Sequence, residues 1–319
     1  MAVHTRLSKG DILDILRIYR IGNLVNFSGI QEGIENTNYK IKTTKNYYIL
    51  TIFEERVNKN YLPIFLNLML NCNSKKICCP KPILDKDHKL INNFKKKKIA
   101  IFSFLNGKSK KQWSEINCFD IGKILGRFHS VNKNFKKKIT NEFSLDFWKK
   151  TFNKMDRSKL DSVIPDAHKL LKTELKFINQ NWPKNLPKGT IHADLFPDNV
   201  FFEGKKISGI LDFYFSCHDF LIYDLAITIN AWCFKRGKFN QSFFNQIISG
   251  YQSERQLTKK EKIQFNILLR GAALRFLLTR LYDKINKKKN SIVTLKDPIE
   301  YYGILIFHIQ SQERFNYFK

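Results

Sequence analysis

GTIHADLFPDNVFFEGKKISGILDFYFSCHDFLIYDLA, residues 189–226, holds the densest polar chemistry in the chain. Val200 to Phe202 and Ile207 to Leu211 are both strand-like, and Gly204-Lys205-Lys206 between them reads as a tight turn, so the two runs predict an antiparallel hairpin. With Lys205 and Lys206 as the turn residues, the register sets Asn199 opposite Asp212, their Cα atoms roughly 5 Å apart. Asp194 lies five residues ahead of Asn199, on the segment that enters the hairpin. An amide oxygen and a carboxylate at one end of a hairpin, with a second carboxylate near by, suit a hard divalent cation such as Mg²⁺. Taken singly, Asp198 and Asn199 read as a turn or cap, and His192 as a residue that packs within its loop. Asp224 reads as a helix N-terminal charge or a brace for the loop, and Asp219 as either a cap or a substrate contact.

Outward from this segment the chain divides. Toward the N-terminus, Thr37 to Thr43 and Asn46 to Phe53 are rich in Tyr, Ile and Thr, and the short Thr44-Lys45 step predicts a hairpin. A helix is expected from about Lys59 to Leu70, broken by CCPKPILD, and a buried strand from Ile99 to Leu105 ending at Asn106-Gly107. Beyond Gly107 the period turns helical: Ile121, Leu125, Phe128 and His129 share one face, and further helical patterns run over 166–181, 221–234 and 259–284. The expectation is an α+β chain with a small sheet-rich lobe, residues 1–105, and a larger helical lobe, residues 106–319, hinged near 104–107.

Composition bounds the function. Lys and Arg number 56 against 28 Asp and Glu, a formal charge of +28, while 43% hydrophobic and 14% aromatic residues exclude disorder as the main state. The basic residues are 44 Lys and only 12 Arg, spread along the whole chain, whereas a nucleic-acid surface would concentrate Arg in one stripe. The dense run Lys95 to Lys98 reads as a solvated turn between strands. No apolar run reaches the roughly 18 residues of a membrane span, the N-terminus lacks the apolar core of a secretory signal, and the six cysteines show no framework spacing. A cytoplasmic protein with no membrane partner is expected.

His192-Ala193-Asp194 with Asn199, then Ile210-Leu211-Asp212-Phe213, resembles the catalytic segment of the aminoglycoside phosphotransferase and choline kinase group, which shares the bilobal protein-kinase-like fold. The strings GIQEGIENTNY, YYILTIFEERV, SGILDFYFSCHDFLIYDLAI, RGAALRFLLTRLYD and KDPIEYY extend the likeness from about Met1 to His308, and are similar to those members of the group that phosphorylate L-homoserine. The resemblance implies ATP and Mg²⁺ as cofactors, L-homoserine as acceptor, O-phospho-L-homoserine as product and a place in threonine synthesis. It makes Asp194 the catalytic base and Asn199 and Asp212 the metal ligands. It places the nucleotide-covering turn at Gly29 and Gly33 with Asn36 and Asn38, and the adenine-binding hinge at Phe104. Where the wider group has a strand lysine under the nucleotide, this sequence has Thr51, and the following helix lacks the partner glutamate; Arg56 is the candidate substitute.

For the acceptor, the sequence offers Arg275, Asp219 and Tyr214. Arg270, Arg275 and Arg280 are five residues apart on one predicted helix, so successive side chains are rotated by about 140° and cannot share a face. Arg280 reads as a surface partner of Asp283, and Arg275, among alanines and leucines, as a buried cation that needs either a structural carboxylate or an anionic substrate. Two alternatives stand beside the homoserine reading: phosphorylation of another small amino-alcohol such as choline, ethanolamine or an aminoglycoside, and a non-catalytic basic nucleic-acid binder on the same scaffold. The second is disfavoured because a binder has no use for a metal pair.

Overall fold

The computed structural model describes residues 5–31, 36–54, 58–235, 237–286, 295–311 and 317–318. Two compact units emerge, Met1–Lys110 with Asp198–Tyr214, and Lys111–Pro197 with Phe215–Lys319. The first unit is therefore discontinuous. The sequence reading put everything beyond residue 106 in one lobe, whereas the Asp198–Tyr214 segment groups with the strands of the first.

The first unit is built on an antiparallel sheet in the order Leu24–Ile30, Thr37–Thr43, Tyr47–Phe53, Lys97–Ser103 and Pro82–Ile83, with Asn92–Phe94 also pairing the Lys97–Ser103 strand. Alternation decides its faces. Along Thr37–Thr43, Tyr39 and Ile41 are buried and pack with Leu50, Ile52, Ile99 and Ile101 against Ile12 and Ile15 of the Lys9–Arg17 helix, leaving Asn38 and Lys40 on the opposite face. That helix opens on a capping box, Ser8 accepting from Asp11 N while Asp11 accepts from Ser8 N.

Two expectations for this unit need correcting. The strand expected at Ile99 to Leu105 runs Lys97–Ser103, and only Lys95 and Lys96 form the turn, both left-handed at φ 45° and 65°. Lys97 joins the ladder because its ammonium reaches the Glu54 carboxylate, and Lys98 because it pairs with Asn93. The helix expected from Lys59 starts later, at Leu62–Ser74, with Pro63 in its first turn.

The second unit is helical around the almost wholly buried Leu221–Trp232 helix, with the short strand Lys188–Ile191 paired to Cys217–Phe220. Helices Glu115–Val131 and Gln241–Glu254 approach so closely that a Cβ on Gly122 would lie 2.0 Å from the Ile247 carbonyl oxygen, and one on Gly250 2.0 Å from that of Phe119. The single helix expected over 259–284 is two, Lys259–Ile263 and Phe265–Ile285. A capping box between Thr258 and Glu261 starts the short one, whose Ile263 faces solvent, and the chain restarts at Gln264 so that Phe265 is buried. Arg280 pairs with Glu300 at 2.6 Å and not with Asp283, because its side chain faces the packed Pro298–Gln310 helix. Among the described residues no helix is long and apolar enough to cross a membrane.

Candidate active site

The hairpin Val200–Glu203 with Lys206–Ile210 forms, but its register differs from the expected one. Gly204, left-handed at φ 60°, and Lys205 make the turn, which pairs Glu203 with Lys206, and a bulge at Ser208 shifts the ladder again so that Val200 faces Ile210. Asn199 consequently stands across from Leu211, whose amide donates to the Asn199 carbonyl at 2.8 Å, and Asp212 lies one residue beyond. Asp212 is itself left-handed at φ 57°.

Asp198, Asn199 and Asp212 line a cavity of about 660 Å³ in the first unit. Its sheet wall follows from the alternation already described. Lys40, Ile49 and Phe102 are register neighbours beside Phe104, and Asn38 and Thr51 face each other two residues further along. The Lys40 ammonium sits 4.4 Å from the Phe104 ring centre and 4.8 Å from that of Tyr47. Thr51, 4% exposed, donates its hydroxyl to Asn38 Oδ1 at 2.7 Å, and Asn36 Oδ1 accepts from the Glu54 amide at 3.3 Å. Tyr214 also lines the cavity, edge-on to Phe53 and Phe65; burial, aided by the Asp212 charge, pushes its hydroxyl pKa up and keeps it neutral.

The second unit carries Asp194. The loop that presents it is fixed at several points. One carboxylate, Asp224, accepts from the His192 amide at 2.6 Å and from the Ala193 amide at 2.8 Å. The Ala193 carbonyl accepts from Arg275 Nη1 at 3.1 Å, and the Leu195 carbonyl from the Trp232 indole at 2.8 Å. Ala193 is left-handed, φ 64°, a conformation that a residue with a Cβ holds only under such restraint. Asp224 is the loop brace that the sequence left open, and His192 is fully buried.

Behind Asp224 a buried relay continues: His129 Nε2 at 3.0 Å from Asp224 Oδ2, His129 Nδ1 at 2.7 Å from the Tyr251 hydroxyl, and Arg255 donating to that hydroxyl at 3.1 Å and to Glu261 at 2.8 Å. Burial pushes the Asp224 carboxyl up, but the hydrogen bonds from His129 and from the His192 amide more than reverse it, so it stays ionised. Burial holds the His129 imidazole below its usual range, so it is neutral, and the network assigns its proton to Nε2 with Nδ1 accepting from Tyr251. Asp219, on the Cys217–Phe220 strand, accepts from Asn141 Nδ2 and from the Phe220 amide, both at 2.7 Å.

The structure thus gathers Asn36, Asn38, Phe104, Asn199, Asp212 and Tyr214 on one cavity of the first unit, and places Asp194, Asp219 and Arg275 in the second. Gly29 sits inside strand Leu24–Ile30 opposite Tyr39 and is not on the cavity. Gly33 and Arg56 lie outside the described residues. Lys40 and Lys108, which the sequence reading passed over, are the cations on the described cavity wall. The i, i+2 alternation of Asn38 and Lys40 against buried Tyr39 and Ile41 was the signal that could have found the first. The donors Asn199 and Asp212, an amide and a carboxylate with Asp198 beside them, are hard oxygens that fit a divalent cation completing its shell with phosphate and water; among the described residues no cluster of three or more His, Cys, Asp or Glu competes with them.

Residues 26–257 match the phosphotransferase enzyme family. The homoserine kinase of Rhizobium meliloti (strain 1021) is 41% identical over 309 residues, covering 97% of this chain and 94% of that protein. The homoserine kinase of Agrobacterium fabrum (strain C58 / ATCC 33970) is also 41% identical, with 97% and 96% covered. Among solved structures, an amicoumacin kinase in complex with AMP-PNP and Ca²⁺ superposes with a TM-score of 0.68 at 15% identity, covering 96% of this chain and 93% of that one, a likeness of fold.

Proposed function

The chain belongs to the phosphotransferase enzyme family, among its homoserine kinases, and from that premise we infer how its residues transfer the γ-phosphoryl group of ATP to the side-chain hydroxyl of L-homoserine. The Asp194 carboxylate takes the hydroxyl proton as the acceptor oxygen bonds to the γ-phosphorus and the bridging bond to ADP breaks, leaving O-phospho-L-homoserine. Asn199 and Asp212 hold Mg²⁺, which when bound neutralises phosphate charge. The base of the nucleotide lies toward Phe104, Ile49 and Phe102, and its phosphates toward Asn199 and Asp212. In place of a strand lysine, the Thr51 hydroxyl and the Asn38 amide present neutral polar groups to the phosphate side.

Phosphoryl transfer asks little covalent chemistry of a protein, so positioning is the main contribution. The observation that carries the reading is the restraint on the 192–199 segment: the residues flanking Asp194 are fixed by Asp224, Arg275 and Trp232, and Asn199 by its hydrogen bond with Leu211. Such a loop costs no reorganisation at the moment of reaction. Purified protein with ATP, Mg²⁺ and L-homoserine should release ADP and form the phosphate ester. Asp194→Asn should lower kcat by about 10²–10⁴ while circular dichroism stays unchanged. Wild-type turnover no higher than that of the Asp194→Asn protein would remove this reading.

A further inference from the structure

One buried cation of the second unit has a carbonyl to hold but no carboxylate partner among the described residues. Arg275, 2% exposed, lies midway along Phe265–Ile285. The arginines five residues to either side have carboxylate partners, Arg270 with Glu174 and Arg280 with Glu300. Arg275 makes no ion pair with any described carboxylate. Its guanidinium has the Ala193 carbonyl at 3.1 Å and stands 5.0 Å and 4.7 Å from the ring centres of Phe143 and Phe276. A carbonyl and two ring faces solvate a guanidinium in part, but a buried full charge is costly until an anion meets it.

The surroundings are polar beyond what the fold needs. The Tyr301 hydroxyl is buried with no hydrogen-bond partner among the described residues. Burial pushes the Tyr301 hydroxyl pKa up, and the charges of Arg280 and Glu300, then of Asp194 and Arg275, bear on it; the Ala193 carbonyl sets Arg275 at the residue next to the base. An opposite charge is at hand. Asp219, half-buried, accepts from Asn141 Nδ2 and the Phe220 amide; its charge and that of Arg275 act in opposite senses on the Tyr223 hydroxyl and the Cys217 thiol, and the two do not pair with each other.

A zwitterionic amino acid carries a carboxylate and an ammonium on one carbon, and a cation and an anion held near each other without pairing match it. We propose that Arg275 binds the α-carboxylate of the acceptor, with the Tyr301 hydroxyl as a second donor, and that Asp219 binds its α-ammonium. This deepens, and rests on, the homoserine reading above. It makes the carboxylate the group by which the site tells an amino acid from a plain amino-alcohol, since loss of a group that a site is built to pair leaves a buried partner unmet.

The test uses 3-aminopropan-1-ol, which is homoserine without its carboxylate. The full-length wild-type enzyme should prefer L-homoserine by about 10²-fold or more in kcat/KM. Arg275→Lys, which replaces a fork by a point charge, should raise the KM for homoserine about 10-fold or more, leave the KM for ATP within about 2-fold, and erase most of the preference. Should that variant not fold, Tyr301→Phe, which removes one hydroxyl, should cut the preference by about 5-fold or more. If either folded variant instead lowers kcat on both acceptors by one factor with the preference intact, Arg275 serves only to hold the Ala193 carbonyl and the proposal is overturned. Wild-type enzyme that turns over both acceptors equally also overturns it while leaving the kinase reading in place. Turnover of neither overturns both.

Discussion

Asp212 and Ala193 share a left-handed backbone, and both stand at points of the proposed chemistry, one as a metal ligand and one immediately ahead of the base. For residues with a Cβ that conformation costs about 1–2 kcal/mol each, which the hydrogen bonds around Ala193 offset. At Asp212 the return is an oxygen directed to the cavity together with Asn199. Asp212→Ala should therefore weaken nucleotide binding about 10²-fold in the presence of Mg²⁺ and change it little without the metal, as read by titration calorimetry with a non-hydrolysable analogue. Equal affinities with Mg²⁺ would contradict the ligand assignment. That Asn199 and Asp212 are neighbours on one cavity was legible from the sequence because a single hairpin brings them together within a short stretch of chain. Trp232, Tyr251 and Arg255 were not, since only the packing of distant helices places them behind the loop.

Among the elements, the crossing of Glu115–Val131 and Gln241–Glu254 shows a sign reversal. Alanine is ordinarily the better helix former by up to about 1 kcal/mol over glycine. At Gly250 the added methyl would lie 2.0 Å from a backbone oxygen of the facing helix, which no side-chain rotation relieves. Gly250→Ala should cost about 1–3 kcal/mol in denaturant unfolding; a variant as stable as the wild type would show that the helices separate freely. Strands and helices were largely readable from their periods, as at Thr37–Thr43, where the expected limits are the observed ones. The register of the Val200–Ile210 hairpin was not, because it depends on whether Gly204 enters the turn and on a bulge at Ser208, and neither leaves a mark in hydrophobic alternation. The break at Gln264 was hidden because neither proline nor glycine marks it, and the short helix has a single apolar residue, Ile263, whose exposure its sequence does not announce.

The molecule as a whole carries +28, and it is a buried neutral imidazole that adds a pH dependence of its own to this background. His308 accepts from the Tyr317 hydroxyl at 2.7 Å through Nδ1 and donates from Nε2 to Asn230 Oδ1 at 2.8 Å, with Asn230 in turn donating to the Leu269 carbonyl. Burial first, and the Arg270 charge second, depress its pKa to about 3. The folded value is thus below the unfolded one of about 6.5, so the unfolded chain binds a proton that the native one refuses. Stability should fall as pH drops below about 6.5, by up to about 1.4 kcal/mol per pH unit from this residue, and His308→Gln should flatten that slope in thermal melts between pH 7 and 5. Parallel slopes for the two proteins would rule the assignment out. Another property follows from the discontinuity of the first unit. Gly209 packs on Leu105 and the Ile210 amide bonds the Cys78 carbonyl, so strands translated early are completed by residues translated late. On the ribosome the sheet through Lys110 must wait, one wall of its cavity missing, while Lys111–Pro197 is synthesised. A message cut short anywhere in that interval releases a peptide without Asn199 and Asp212, the cavity residues proposed to hold the metal.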